Sequence, residues 1–254
     1  MPLSAASESK GLKDEFPHMP KFFMVPAFVT VIVLPLTFSP LAAFGQSGDL
    51  KSVLSQMDTA SHNFKSAQAD FEWDQYQLVI QDKDVQKGAI SFQRKGTDTQ
   101  MAARITQFNG KSDDRELVYK DGQLEFYQPK IKQITVFSAG ANRSQYESFL
   151  TLGFGGSGSD LDKNWVVTYQ GSDTVDGVKT AKLDLVPREA SVKGTFTHVT
   201  IWVDPSRAIS LKQQFFEPSG DYRLATYSNI KYNTPVAADV FAIKPAPGTQ
   251  TIRK

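Results

Sequence analysis

Alternation of apolar and polar residues is the feature that most restricts the fold of this chain. From Ala69 to Asp74, an alanine, a phenylalanine and a tryptophan alternate with three acidic residues. A strand with this pattern has one apolar face and one solvated face, because successive side chains point to opposite sides of a sheet. Similar segments recur at Gly88–Phe92, Leu117–Tyr119, Leu124–Tyr127, Trp165–Tyr169, Thr180–Val186, His198–Val203, Ser210–Phe216 and Tyr222–Ile230.

Short turns between these segments determine how the strands connect. Asp121-Gly122 and Asp176-Gly177 are typical hairpin turns, and Pro218–Asp221 is a further turn signal. Sequential strands joined by such turns form an antiparallel meander, and a meander of this many strands curls to remove exposed edges. The sequence therefore predicts one curved antiparallel sheet.

Two segments have helical spacing instead. Apolar residues recur at steps of three and four from Leu50 to Phe64, and again from Asn142 to Leu152. Both segments are predicted to be amphipathic helices. Helices laid on the concave side of the sheet would cap it, so the chain is predicted to be mainly β (α+β).

The N-terminal part has the composition of a signal peptide. The run Phe22–Phe38 is almost entirely apolar, and Lys21 stands just before it. Ala43 and Gly45 are small residues with the spacing that signal peptidase requires for a cut before Gln46.

This composition divides the chain into two parts. Residues 1–45 are predicted to be a signal peptide, with Met19 as an alternative start, and residues 46–254 a single exported domain. A retained membrane anchor is the alternative. Prolines within and just after the apolar run disfavour it, and the run is shorter than the ~20 residues that span a bilayer.

Charge and cysteine content exclude several classes of protein. The chain has 28 basic and 27 acidic residues, a net charge of +1, and no cysteine. The near balance of charge gives no indication of nucleic acid as a partner. Without cysteine the chain has no disulfide, no thiolate metal site and no cysteine for its own lipidation. We expect no nucleic-acid partner and a monomeric protein.

No residue pattern in the predicted domain assembles a catalytic or metal site. Gly153, Gly155 and Gly158 match the spacing G-x-G-x-x-G, but a dinucleotide loop follows a strand, whereas here a predicted helix comes before the glycines. A flexible glycine hinge is the favoured interpretation. His62 and His198 cannot form an H-E-x-x-H site, and no G-x-S-x-G sequence occurs. We therefore predict no enzyme activity, catalytic residue, metal or cofactor.

Aromatic residues make up 11% of the chain, and many stand at alternating positions of the predicted strands. They either pack together as a filled barrel core or line a cavity that the curved sheet encloses. Periodicity does not distinguish the two arrangements, because both place the aromatic side chains on the same face.

Four stretches of the chain resemble one known family. Leu117–Pro129, with the sequence LVYKDGQLEFYQP, resembles a segment of LolA, the periplasmic carrier of outer-membrane lipoproteins. Lys87–Arg94, Ile201–Arg223 and Val240–Thr249 resemble further parts of that family in the same order. The resemblance extends over Leu50–Thr251.

The resemblance implies both a fold and a function. It implies an incomplete antiparallel β-barrel curved around an apolar cavity, with amphipathic helices as a lid. It also implies a periplasmic carrier, or chaperone, that binds the acyl chains of lipoproteins and moves them from an inner-membrane ABC exporter to an outer-membrane acceptor. An envelope lipid-binding sensor or regulator of the same fold and a general lipid shuttle are the alternatives.

The chain departs from the family pattern in three places. Lys95 stands where a proline often follows the family arginine, and Gly153–Asp160 is unusually rich in glycine. The C-terminal strand seen in some members is absent or very short after Thr251. These positions bear on partner docking and lid geometry.

The resemblance also indicates which residues form the acyl-binding site. The predicted lining comprises Phe71, Trp73, Ile90, Phe92, Phe126 and Trp202 from the sheet, and Leu54, Met57 and Phe149 from the helices. Arg94 is predicted to bond helix carbonyl groups and hold the lid in the empty state, because a guanidinium can donate to several oxygens at once. A solvated charge at a strand end is the alternative for Arg94. A register error of one residue would turn a whole strand to the other face.

Overall fold

The computed structural model of the chain describes residues 42–96, 98–138, 140, 147, 149 and 152–254, without the side chains of residues 42–48 and 191. Residues 1–41 of the predicted signal peptide lie outside these ranges, as does most of the helix predicted at Asn142–Leu152.

Twelve strands of the described residues form one sheet. They are β1 (Ser66–Gln77), β2 (Asp82–Lys95), β3 (Asp98–Phe108), β4 (Lys111–Lys120), β5 (Gln123–Gln128), β6 (Gln133–Ser138), β7 (Trp165–Val175), β8 (Val178–Pro187), β9 (His198–Asp204), β10 (Ile209–Phe216), β11 (Tyr222–Tyr232) and β12 (Gln250–Arg253). Their spatial order is β12-β6-β5-β4-β3-β2-β1-β11-β10-β9-β8-β7. Neighbouring strands are antiparallel, except that β12 is parallel to β6.

The sheet consists of two meanders that join at the first strand. Strands β1 to β6 succeed one another on one side, strands β11 back to β7 on the other, and β1 pairs with β11 from Ala67 to Tyr76. β7 and β12 end the strand order at opposite edges, so the curved sheet is not closed. The predicted architecture, a mainly β incomplete antiparallel barrel with helices, is confirmed.

Two strands, β3 and β6, show no clear alternation in the sequence because both of their faces are covered. All three residues Met101–Ala103 of β3 are buried, since Phe241 packs against Ala102 on the outer side of the sheet. Ile134–Val136 of β6 is likewise buried, with Ile243 packed against it. The C-terminal segment thus covers the outer face of both strands. Neither strand has the solvated face that would give its sequence an alternating pattern.

The C-terminal segment also supplies an edge strand. β12 pairs with β6 from Gln250, opposite Gln133, to Arg253, opposite Val136. All four of its residues are exposed. The strand has four residues.

The α-helices with described bounds are α1 (Ala42–Asn63), α2 (Gly158–Asn164) and α3 (Ala190–Lys193), and the described residues Glu147 and Phe149 are also helical. α1 contains nearly all of the helix predicted at Leu50–Phe64 and begins earlier. Its residues Val53 and Met57 are buried against β8 and β9, in a cluster that also contains Leu161 of α2. No described helix is both long enough and apolar enough to cross a membrane.

The inner side of the sheet carries two apolar clusters. The first includes Phe71, Phe92 and Tyr119, on the side of β1 to β4. The second includes Leu183 and Ile201 and lies under α1 and α2. The helices therefore cover the second cluster, while residues of the first border an open space.

Candidate functional site

A cavity of about 490 Å³ lies on the inner side of the sheet, between β1–β5 and β10–β11. Its apolar lining includes Trp73, Ile90, Phe92, Met101, Ile105, Leu117, Phe126, Leu224 and Tyr227 from the sheet, and Phe149, Leu152 and Phe154 from the segment after β6. Cavities of roughly 300–1,000 Å³ lined mainly by hydrophobic and aromatic side chains are typical of small-ligand sites.

Several of the predicted lining residues meet in this cavity. They are Trp73, Ile90, Phe92, Phe126 and Phe149. Phe71 is buried and stacks on Trp73, with ring centroids 4.0 Å apart, but it does not belong to the lining. Leu54 and Met57 of α1 pack in the second cluster and also lie outside the lining.

Trp202 does not line the cavity, because it lies on the opposite face of the sheet. The inner positions of β9, all fully buried, are Val199, Ile201 and Val203. Trp202 packs instead between Lys182 and Lys212 of the adjoining strands, whose ammonium nitrogens lie 5.3 and 4.4 Å from its ring centroid. Its indole N–H donates a hydrogen bond of 2.8 Å to Oδ2 of Asp173. The predicted placement of Trp202 is corrected accordingly.

Arg94, near the end of β2, bonds two segments that pass over the sheet. Its Nη1 donates to the carbonyl oxygen of Ser61 in α1 at 2.7 Å, and its Nη2 donates to the carbonyl oxygen of Gly155 at 2.6 Å. The guanidinium also lies over the ring of Phe64, 5.4 Å from the centroid. Burial lowers the pKa of Arg94, and the carboxylate of Asp160 partly offsets this. These are the contacts that a latch would make, and the latching function itself stays a prediction.

The segment before α2 approaches the sheet closely because it contains glycines. The N–H of Gly155 donates to the carbonyl oxygen of Ala208 at 2.8 Å, and the carbonyl oxygen of Gly153 accepts from the N–H of Ser210 at 2.7 Å. A Cβ on Gly155 would stand 2.4 Å from the ring of Phe64, and Gly155 has φ of +77°. These glycines thus permit close packing, which differs from the flexible hinge favoured by the sequence.

Phe154 is a cavity residue that sequence reasoning missed. Its side chain is 1% exposed, and its ring stacks on Phe92 at 4.1 Å and meets the ring of Tyr227 edge-on at 4.9 Å. The available signal was an isolated aromatic residue between two glycines. Such a spacing lets the backbone carry one large side chain into a packed interior.

A buried polar chain holds this segment in place. The hydroxyl of Tyr227 donates to Oε1 of Gln213 at 3.1 Å, and Nε2 of Gln213 donates to the carbonyl oxygen of Leu152. Burial raises the pKa of the Tyr227 hydroxyl above its ordinary value, because it disfavours the charged form, and the neutral form is the one that donates this hydrogen bond. The wall of the cavity at Phe154 is therefore positioned by hydrogen bonds as well as by packing.

The two ends of the cavity differ in polarity. At the end where β1 leads into β2, the lining includes Gln75, Gln86, Arg115 and Arg223. We name this end the mouth. The opposite end lies towards Arg94 and its contacts with α1. The cavity therefore has a polar mouth and a largely apolar interior, in which Gln213 is a buried polar residue.

Histidine and carboxylate side chains form no metal cluster in the part of the chain that the structure describes. Nδ1 of His198 lies 2.7 Å from Oδ1 of Asp184, and its ring stacks on Phe216 at 4.2 Å. These contacts give His198 a structural role in the sheet.

Comparison with known proteins gives similarity at the level of the fold. No protein-family model and no curated protein matches the chain. An uncharacterized conserved protein from Thermus thermophilus is similar over 81% of this chain and 99% of its own, with 9% identity and a TM-score of 0.52. The structure of MucB is similar over 81% of this chain and 66% of its own, with 13% identity and a TM-score of 0.50.

A third structure carries the family name that the sequence stretches suggest. NE2245 from Nitrosomonas europaea, a LolA superfamily protein, is similar over 76% of this chain and 97% of its own, with 15% identity and a TM-score of 0.38. At these identities the similarities concern the fold alone. The curved, unclosed sheet with helices over its inner face is the architecture that the LolA resemblance implies.

Proposed function

We propose that this chain is a periplasmic carrier that binds the acyl chains of a lipidated protein and moves it from the inner to the outer membrane. The observation that carries the proposal is the cavity of about 490 Å³, which has apolar walls and a polar mouth. A general lipid shuttle would use the same cavity for a different cargo.

An acyl chain needs such a container because water is a poor solvent for it. Each buried methylene gains roughly 0.8 kcal/mol, so about a dozen methylenes gain roughly 10 kcal/mol on leaving water. A carrier must offer a comparable apolar surface in place of the bilayer. In this chain Trp73, Ile90 and Phe92 provide part of that surface.

The polarity of the cavity favours an amphipathic ligand with its tail inwards. The tail would lie against Phe92 and Phe154, on walls formed by aromatic rings. The polar group that joins the tail to its protein would remain at the mouth, beside Arg115 and Arg223. Guanidinium groups suit ester and amide carbonyl oxygens because they present several N–H donors.

Arg94 is proposed to stabilise the closed, empty state. Its bonds to Ser61 and Gly155 connect β2 with α1 and with the segment that carries Phe154. An acyl chain inserted against Phe154 would displace this segment and strain the bond to Gly155. The latch would therefore oppose loading and assist release, which a carrier needs as much as binding.

The proposed route begins at an inner-membrane ABC exporter and ends at an outer-membrane acceptor. Export of the chain would depend on the predicted signal peptide at residues 1–45, and the working form would be a monomer in the periplasm. Binding and release require no catalytic residue and no cofactor.

A lipid-binding sensor or regulator is the second candidate. The similarity to MucB favours it, since one solved structure is a complex of MucB with MucA from Pseudomonas aeruginosa. By analogy, this chain would pair with a regulatory polypeptide and would use the cavity to detect lipid.

The test is to purify the protein from the envelope of its host and identify what accompanies it by mass spectrometry. An acylated polypeptide supports the carrier, free lipid supports the shuttle, and an unacylated partner supports the regulator. Leu117→Trp, which fills part of the cavity, should reduce the recovered cargo, whereas Val166→Trp at an exposed position of β7 should not. If both variants retain the cargo equally, the cavity is not its binding site.

A further inference from the structure

The hairpin between β1 and β2 ends in three consecutive exposed aliphatic residues. Leu78, Val79 and Ile80 are 47%, 91% and 63% exposed. Single exposed aliphatic residues are common on protein surfaces, but contiguous ones mark contact surfaces. We refer to these three residues as the tip.

The tip projects beyond the neighbouring strand. Pairing between β1 and β2 continues to Gln77 opposite Asp82, whereas pairing of β2 with β3 begins only at Gln86. The base of the tip is nevertheless held, because the N–H of Leu78 donates to Oδ1 of Asp221 at 2.8 Å. The tip is thus an anchored projection of the sheet.

The tip stands at the same end of the sheet as the mouth of the cavity. Gln75 of β1 and Gln86 of β2 belong to the lining of the mouth. Only two residues separate Gln75 from the tip on this hairpin. A surface that contacts the tip therefore lies next to the mouth.

We propose that the tip inserts into a phospholipid bilayer and holds the mouth of the cavity against the membrane surface. Leu78 packs on one side against Gly220, whereas Val79 and Ile80 are 91% and 63% exposed, so solvent surrounds most of these two side chains. A bilayer surrounds an inserted group with hydrocarbon, whereas a groove on a protein contacts one side of it. The shape of the tip thus favours a bilayer.

Two tyrosines behind the tip strengthen this assignment. Tyr76 of β1 and Tyr222 of β11 stack with ring centroids 4.9 Å apart, and both are partly exposed. Tyrosine is enriched at membrane–water interfaces because its ring is apolar and its hydroxyl is hydrated. With the tip in hydrocarbon, this pair would lie at the level of the headgroups.

Charges around the tip give no reason to expect selection of anionic lipid. Lys83 pairs with Asp74 at 2.6 Å, and the neighbouring Asp82 is exposed. The two arginines at the mouth are also paired, Arg115 with Asp113 and Arg223 with Glu217. Contact of a basic surface with membranes depends strongly on anionic lipid and on salt. Insertion of the tip should depend weakly on both, because it results from burial of apolar surface.

The role of the tip in transfer rests on the proposed function, but its contact with a membrane does not. The test is flotation of the envelope-purified protein with vesicles of phosphatidylethanolamine and phosphatidylglycerol. The variant carries Val79→Asp and Ile80→Asp, and leaves Leu78 in place because Leu78 packs against Gly220. Its matched control is Ile252→Asp, on the exposed edge strand β12 at 41% exposure.

The wild type and the control should float with the vesicles, and the variant should lose about tenfold or more in partition. All three proteins should bind a fluorescent fatty acid equally when no vesicle is present. If the wild type does not float, or if the variant floats equally well, the inference is wrong whatever the fatty-acid result. It is also wrong if the substitutions convert a dimer into a monomer, since the tip would then contact a second copy. Normal flotation without fatty-acid binding would contradict the proposed function and leave the inference standing.

Discussion

Arg94 donates a hydrogen bond from Nη2 to the carbonyl oxygen of Gly155 at 2.6 Å, although 61 residues separate the two along the chain. The same guanidinium donates from Nη1 to the carbonyl oxygen of Ser61 at 2.7 Å. One half-buried side chain thus connects β2, α1 and the segment that carries Phe154 into the cavity.

Arg94→Leu should keep the fold and increase the affinity for fatty acid. The latch stabilises the empty state, so its removal shifts the equilibrium towards the loaded state. Two hydrogen bonds from a charged donor correspond to an effect of about tenfold or more on affinity, expressed mainly as slower release. Stopped-flow displacement of a fluorescent fatty acid measures this rate.

The matched control for the latch is Arg188→Leu, because Arg188 is also an arginine that donates to a carbonyl oxygen, that of Asp162. Its release rate should equal that of the wild type. Unchanged or faster release from Arg94→Leu, with native circular dichroism, would show that Arg94 does not hold the empty state.

Gly155→Ala should destabilise the protein more than Gly248→Ala does. Their φ angles are +77° and +79°, so the backbone cost of about 1–2 kcal/mol is common to both. Only Gly155 faces a close contact, since its Cβ would meet the Phe64 ring at 2.4 Å, while nothing lies within 4 Å at Gly248. The additional loss in free energy of unfolding should be about 1–3 kcal/mol in urea titrations. Equal losses in the free energy of unfolding would mean that the Phe64 ring moves aside without destabilising the fold.

Phe154→Leu should shift the preference of the cavity towards longer acyl chains. The smaller side chain leaves space beside Phe92 and Tyr227, where the ring of Phe154 now packs. The measurement is the affinity for a series of fatty acids of increasing length. Phe216→Leu is the control, because the ring of Phe216 stacks on His198 away from the cavity lining. The same chain-length optimum in Phe154→Leu and the wild type would place the acyl chain elsewhere.

Trp202→Phe should alter the titration of Asp173 and leave fatty-acid binding unchanged. The pKa of Asp173 is lowered chiefly by the hydrogen bond from the indole N–H of Trp202, and further by the N–H of Thr174. Without the indole donor this pKa should rise towards its ordinary value, which an NMR titration would detect. Weaker fatty-acid binding by the variant would contradict the position of Trp202 outside the cavity.

The same contact predicts a sign for the pH dependence of stability. The folded-state pKa of Asp173 lies below its unfolded value of about 3.9. The contact therefore stabilises the fold above that value, and the contribution is lost as the pH falls through the folded-state pKa. The difference in stability between the wild type and Trp202→Phe should accordingly be larger at neutral pH than in acid, where only the loss of packing around Trp202 remains.

Alternation in the sequence was sufficient to predict the sheet and the face that carries Trp73, Ile90 and Phe92. It failed for β3, where Ala102 is buried on the outer side by Phe241, because no local pattern reports a contact with a segment so far along the chain. Helical spacing located α1 correctly, since Val53 and Met57 bury one stripe of that helix.

The candidate site was predicted only in part, for two physical reasons. Residues Val199–Val203 are largely apolar, so their pattern does not show which of them face inwards, and two lysines cover the ring of Trp202 on the outer face. An isolated β-bridge to Ile209 holds Phe154 at the cavity. Sequence periodicity does not report such a contact, because the two residues are far apart along the chain.

Quenching of single tryptophans by a brominated fatty acid tests most directly whether an acyl chain occupies the cavity. The chain has three tryptophans, so two of them can be replaced by phenylalanine to leave either Trp73 or Trp202 as the only emitter. Trp73 lines the cavity and Trp202 lies on the other face of the sheet. Saturable quenching of Trp73 with little quenching of Trp202 is the predicted result. Equal quenching of both, or bound fatty acid that leaves Trp73 emission unchanged, would contradict the account.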